Sequence, residues 1–387
     1  MCLRRCCSTG LFLISSRSAS PASWWPQAAG PAERRVASIG AVGLNAFFNG
    51  GGGTNSLTLA GTAGSSDVLA GDIRNFQTLT KTGDGRWTLS GTVGANGGGS
   101  PLAVQVQDGT LALTGNNSSF NGTVTVDPAG ILEARAQSLP PAVTNNGLVR
   151  FAQPDAGTYS GAISGTGVVS KTGAGVLTLG SANSYQGGTL LQDGVVAIAG
   201  DNRLGAASGG ITFDGGALQL TSSFDLSAGR AIEITANNGR LITDAGVTST
   251  LAQGITGAGG FTKDGAGTLI LTGTSSHGGG TTIAAGTLQL GDGGTAGALP
   301  SGTVNNNGTL SFNRSDTVSF GNLVTGSGNV LQAGTGTTVL SADNSYAGST
   351  QVSSGALYIN GNQSGGTGPA SVAPGATLGG IGRSVAT

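Results

Sequence analysis

The sequence predicts an all-β chain wound as a parallel β-helix. Three observations predict it. Glycine supplies 74 of 387 residues, against ~7% in ordinary proteins. Apolar residues alternate with polar ones in short runs, as in Leu177-Thr178-Leu179, a period of two that belongs to strands. Related segments recur along the chain at spacings that share a common unit of roughly 23 residues, the signature of a solenoid.

Composition narrows the function classes first. Charged residues are 9% and the formal net charge is −1, so no basic stripe is available for nucleic acid. There is one histidine and there are three lysines, too few for a histidine metal cluster. Pro is only 11 and no Gly-X-Y period runs through the chain, which excludes collagen. Hydrophobic residues reach 37% with a mean hydropathy of +0.11, unlike a disordered polar chain. No apolar run is long enough to make a transmembrane helix.

The N-terminal segment stands apart. All the cysteines (Cys2, Cys6 and Cys7) lie there, so no disulfide framework can staple the remainder. Arg4-Arg5, then Leu11-Phe12-Leu13-Ile14, then Ser18-Ala19-Ser20-Pro21-Ala22 follow the order of a signal peptide, but the apolar stretch falls short of the usual ~7–15 residues. Residues 1–44 are therefore expected to be a leader or disordered segment, and residues 45–387 the β-helix.

Four segments define the repeat: KTGDGRWTLSG from Lys81, KTGAGVLTLGSANSYQGGTLLQDGVVAIAG from Lys171, KDGAGTLILTGTSSHGGGTTIAAGTLQLG from Lys263 and QAGTGTTVLSADNSYAGSTQVSSGALYING from Gln332. The last three keep register throughout. Leu179, Leu271 and Leu340 stand eight residues after their anchors, Thr189, Thr281 and Thr350 eighteen after, and Gly194, Gly286 and Gly355 twenty-three after. The first copy fits through Leu89, then needs an insertion in Gly94–Ser100 before Gly109-Thr110-Leu111 rejoins. Anchor spacings of 90, 92 and 69 are close to four, four and three units of roughly 23 residues. Weaker units centre on Asn145-Asn146-Gly147, Phe213-Asp214-Gly215-Gly216 and Asn306-Asn307-Gly308, where Gly and Asn suit tight turns. About 15 turns of ~23 residues, ~4.8 Å apart, would make a rod about 70 Å long. In that arrangement Leu89, Leu179, Leu271 and Leu340 are expected to share one inward column, with Trp87 in the core.

The candidate reactive residues fall at repeat positions. His277 occupies the slot of Tyr185 and Tyr346, fourteen residues after each anchor, and is expected to fill a turn. Lys81, Lys171 and Lys263 are the anchors themselves; a catalytic lysine would be singular, so these are expected to be structural. Asp84, Asp108, Asp193 and Asp264 lie in turns beside or near glycine rather than in a cluster suited to acid–base work. Asp84 and Asp292 are single acidic turns, not a tandem calcium series. Gly50–Gly53 and Gly278–Gly280 lack the Lys-Ser/Thr and helix of a phosphate loop, and Asn238-Gly239-Arg240 is too short to carry weight as a cell-binding motif. No catalytic, cofactor-binding or metal residue is assigned, and no enzyme activity or cofactor is expected.

The pattern KTGxGxLxL…YxGGTxxxxGxLxL, together with Ile73–Lys81 and Gly375–Gly380, resembles the autotransporter-associated β-strand repeat, or passenger-associated transport repeat. The resemblance implies a right-handed, single-stranded, pectin-lyase-like β-helix that crosses the outer membrane unfolded and folds outside. It implies a cell-surface or secreted passenger, an outer-membrane translocator barrel as partner, and adhesion to carbohydrate or protein. The chain ends at Val385-Ala386-Thr387 within passenger-like sequence, with no barrel strands after the last repeat, so a fragment of a larger protein, or a partner lacking its barrel, is expected. A passive spacer and a β-helix polysaccharide lyase or hydrolase are the alternatives.

Overall fold

The computed structural model describes residues 32–37, 48–50, 54–94, 101–117, 119–363, 366 and 368–382. Among them there is no α-helix; the only helical turns are the 3-10 segments Ala136–Ser138 and Asp201–Leu204. The fold class is the expected one, an all-β parallel solenoid of about 16 turns, consistent with the right-handed winding that parallel crossovers adopt. The chain forms two compact units, Met1–Gly188 and Thr189–Thr387.

In the first unit, strands Asn55–Ala60, Thr78–Thr82, Ala103–Leu113, Thr123–Ala134, Ala142–Asn145 and Ala162–Ser164 stack in parallel. Their ladder places Leu57, Leu79, Val104, Val124, Val143 and Ile163 directly over one another. All six are buried. Alternation puts Thr58, Thr80, Gln105 and Thr125 on the other face of the same ladder. A second ladder runs through Ser66–Leu69, Arg86–Leu89 and the later halves of the two long strands, then Leu148–Ala152 and Val168–Thr172. The strand Ala32–Ala37 pairs in parallel with Asn55–Ala60, so paired strands begin inside the segment assigned to the leader. The cysteines and the signal-like residues lie outside the described residues.

The second unit repeats the scheme. One ladder joins Thr248–Leu251, Thr268–Leu271, Thr287–Leu290, Thr309–Phe312, Asn329–Gln332, Thr350–Val352 and Ala370–Val372. Its inward column is Ser249, Leu269, Leu288, Leu310, Val330 and Thr350, all buried. Each coil contributes a few apolar side chains, and stability accumulates by nearest-neighbour stacking.

The expected inward alternation holds: Leu177, Leu179, Leu269 and Leu271 are buried, and Trp87 is wholly buried, with its indole N–H donating to the Ala60 carbonyl at 2.9 Å. The expected shared column does not. Leu89 continues through Leu113, Ala134 and Phe151 to Lys171. Leu179 pairs with Tyr159, Leu271 continues through Leu290 and Phe312 to Gln332, and Leu340 pairs with Phe320 and Ile359. The reason is coil length. Leu148 lies over Ile131, 17 residues earlier, Ala103 over Thr78, 25 earlier, and a step of 20 recurs, as at Leu148 and Val168. Anchors spaced 90 or 69 residues apart therefore overshoot a whole number of coils by about one strand.

Candidate functional site

The residues that distinguish the repeat gather at its corners, where the chain leaves one strand and has no backbone ladder to satisfy it. At the anchor corner the lysine points inward. Lys263 is fully buried, and its ammonium donates to the carbonyls of Asp264 (2.8 Å), Gly265 (2.8 Å) and Ala285 (3.2 Å). The first two belong to its own turn and the third to the next coil. Lys81 does the same with Thr82 (3.0 Å), Gly83 and Asp108 (3.0 Å), and Lys171 binds the carbonyls of Thr172 (3.0 Å) and Gly173. Burial pushes Lys263 down to about 8 against a smaller opposing pull from Asp264, and lowers Lys81 likewise against Asp108 and Asp84. Gln332 replaces the ammonium with an amide that donates to Gly334 and Gly336 and accepts from the Thr338 hydroxyl at 2.8 Å.

The glycine twenty-three residues after the anchor closes this clamp. Gly286 has φ +65°, and a Cβ there would meet the Gly267 and Gly265 carbonyl oxygens at 2.3 and 2.4 Å. Only glycine tolerates both the dihedral and the approach. The repeat thus spans two coils because its lysine turn and its second glycine lie one above the other. In the first copy the same relation holds between Lys81 and Gly109, whose Cβ would meet the Gly83 carbonyl at 2.4 Å; the expected insertion, Gly94–Ser100, lies outside the described residues except for Gly94.

The opposite corner carries the Asn-Ser-Tyr phrase. The side-chain amide oxygen (Oδ1) of Asn183 accepts from the Ile163 N–H and that of Asn344 from the Val324 N–H, each at 2.8 Å. Ser275 serves Ile255 in the same way at 3.2 Å, and Asn117 serves Val93 at 2.8 Å. Two residues on, Tyr346 places its hydroxyl 2.7 Å from the Thr350 hydroxyl, and His277 places Nε2 3.0 Å from the Thr281 hydroxyl. His277 is 1% exposed and meets the edge of Phe261 with ring centroids 5.9 Å apart. Burial lowers its pKa, opposed by the backbone of Ile255 and Gly280. It fills the tyrosine slot, as the spacing implied.

The turn carboxylates are dispersed. Asp108, Asp193 and Asp264 each accept from the following glycine N–H at 2.7 Å. No group of three or more His, Cys, Asp or Glu among the described residues is placed to hold a metal. The inward asparagines of the weaker units bridge coils: Asn145 donates to the Val168 carbonyl and Asn306 to that of Asn329, both at 2.8 Å.

Two polar assemblies were not legible in the sequence. Arg230, fully buried, holds Asp201 at 2.9 Å and donates to the carbonyls of Leu204 (3.0 Å) and Gly209 (2.6 Å). Burial alone would raise the Asp201 carboxyl, but hydrogen bonds from Arg230 and Ser227 outweigh it and hold it below the usual range. Glu133 receives Arg86 at 2.6 Å and Arg150 at 3.5 Å. Neither has a local signal, because the partners are separated by 29 and 47 residues in the tighter pairs. A groove of about 260 Å³ in the first unit has Thr78, Thr80, Gln105, Thr123 and Thr125 on its walls.

Comparison with known proteins accords with this geometry. The passenger-associated-transport-repeat family matches residues 79–99, 104–134, 169–198, 261–290 and 330–359. The match at 104–134 begins after that at 79–99 ends and covers the Gly109-Thr110-Leu111 turn assigned above to the tail of the Lys81 copy. The chain is 35% identical over 175 residues to the adhesin BmaC autotransporter of Brucella suis biovar 1 (strain 1330), covering 45% of this chain and 5% of that protein. It is 29% identical over 174 residues to the uncharacterized lipoprotein YdeK of Escherichia coli (strain K12), covering 43% of this chain and 12% of that one. The chain thus spans a small part of either relative's length. The passenger-associated transport repeat thus recurs in five places of this solenoid, with a two-coil clamp at Lys81 and Lys263, and this likeness supports a place at the cell surface or in the extracellular space.

Proposed function

We propose that this chain is a non-enzymatic passenger that supports its own export across the outer membrane and presents a polar face for adhesion. The observation that carries the reading is where the repeat's polar atoms are used. Lys81 and Lys263 bind the coil that follows them, and Asn183 and Asn344 bind the coil that precedes them. These side chains join coils, so the repeat's characteristic polar atoms are engaged in holding the solenoid together. Each new coil satisfies buried groups of its neighbour, so folding outside the membrane is favoured step by step and folded coils resist slipping back. A translocator barrel is the partner this route requires. The relative named as an adhesin supports adhesion; a surface carbohydrate or protein is the ligand class proposed for this chain.

The test is display. The chain is fused to an outer-membrane barrel, and protease-accessible passenger and binding to cultured cell layers are measured. Surface display with cell binding above that of the barrel alone is expected. Display without binding would remove adhesion and leave the spacer reading, which the 5% coverage of the adhesin favours. Release of sugars from a polysaccharide panel would overturn the non-enzymatic reading.

A further inference from the structure

We propose that His277 makes the coil around Phe261–Ile283 an acid-sensitive joint, a segment of the second unit that opens locally in mild acid while the coils after it stay closed. The tyrosine slot is filled by Tyr346 in the last repeat, where its hydroxyl pairs with Thr350. His277 pairs with Thr281 in the same geometry. The side chain that keeps the contact has changed from one that stays neutral in acid to one that takes a proton there.

The surroundings of the ring favour neutral imidazole: burial opposes the charge, and the backbone of Ile255 and Gly280 offsets this only in part. His277 is 1% exposed and lies edge-on to Phe261. Strand Ile255–Gly257 offers it no titratable side chain, and neither does Thr281–Ile283 or Thr303–Asn306. Strand Phe261–Asp264 offers buried Lys263, whose ammonium is committed to three carbonyls. The charged residues nearby in sequence and ladder are turned outward: Asp264 pairs with Arg240, and Glu233 is exposed. No carboxylate therefore faces the ring to welcome a second positive charge. Protonation is favoured only after the coil opens and water reaches the ring.

His277 is the chain's one histidine, which isolates the effect. The carboxylates with shifted values are held low, Asp72 at about 2 and Asp201, Asp214, Asp316 and Glu133 below their usual range. Their protonation belongs to stronger acid. The open form binds a proton near pH ~6.5, the unperturbed imidazole value. Below it, the open population grows by up to about tenfold per pH unit.

Native-state hydrogen exchange on the full chain, corrected for intrinsic chemical rates, tests this between pH 7 and 5. Amides of residues 255–283 should lose protection as pH falls, and those of residues 330–352 should not. His277→Tyr, which restores the repeat's own residue, should abolish the response. The same acid response in the His277→Tyr protein would overturn the proposal, as would equal protection loss in both segments. A second measurement does not depend on the variant. The single imidazole NMR signal of the native protein should stay at its neutral position through pH 6; a native signal that titrates near 6.5 without loss of protection would also overturn it.

Discussion

Leu271 and Gln332 stand in one inward ladder, three coils apart, joined through Leu290 and Phe312. The eighth position of one repeat therefore lies beneath the anchor of the next. Leu89 and Lys171 stand in the same relation in the first unit. Within each unit, the anchor of one repeat is thus displaced by about one face from that of the repeat before it, and the two secure different corners rather than one.

The ladder makes Leu271 a sensitive position. Leu271→Ala should cost about 2–5 kcal/mol by leaving a cavity, and Leu271→Asp more, because a buried charge would have no partner. Thr268→Asp, on a half-buried outward position of the same strand, should change stability by less than about 1 kcal/mol. Limited proteolysis compares the two; equal sensitivity would overturn the assignment of inward and outward faces.

The second glycine of the clamp gives a sharper contrast. Gly286→Ala should destabilise by more than about 1 kcal/mol, since the new Cβ meets two carbonyl oxygens at a positive φ. Gly294→Ala, whose Cβ would find only the Asp292 carboxylate at 3.4 Å, should be nearly neutral. Urea midpoints of the two variants measure the difference.

The buried ammonium of Lys263 predicts an alkaline gain. At pH values below 8 both folded and unfolded chains hold the proton, and the cost of burying the charge is present in full. Between pH 8 and 10.5 the folded protein releases the proton first, so the unfolded state binds more protons and stability rises with pH. Lys81 adds in the same sense. Replacing Lys263 with Met should flatten the rise in urea midpoint between pH 8 and 10. Above that range burial raises Tyr159 and Tyr346, so the unfolded chain ionises first and stability falls.

Arg230 offers the largest single loss. Arg230→Met removes the donor that holds Asp201 and the carbonyls of the Asp201–Leu204 turn. About 3–5 kcal/mol is expected from breaking such a pair, read as a lower thermal midpoint. The paired Asp201 carboxyl, held low, contributes stability that is lost as pH falls through its folded value. Acid sensitivity from this source should vanish in Asp201→Asn.

Much of the fold was legible because its determinants are local. The alternation of Leu177, Thr178 and Leu179 sets which side chains enter the core, since successive strand residues face opposite ways. Asp264 and Gly265 mark a turn by adjacency alone, with the carboxylate capping the glycine N–H. The His277 slot was legible from Tyr346 by spacing, and the structure places the same threonine partner beneath both.

By itself the sequence determined the parallel β-solenoid, the repeat and the burial of its apolar positions, because all three follow from short-range periodicity. Only the tertiary structure decided which coil lies over which. The number of residues in each coil depends on how its turns pack, and steps of 17, 20 and 25 residues all satisfy the same alternation. That is why Leu89 meets Lys171 and not Leu179, and why the Arg230–Asp201 pair, 29 residues apart, was invisible until the coils were stacked.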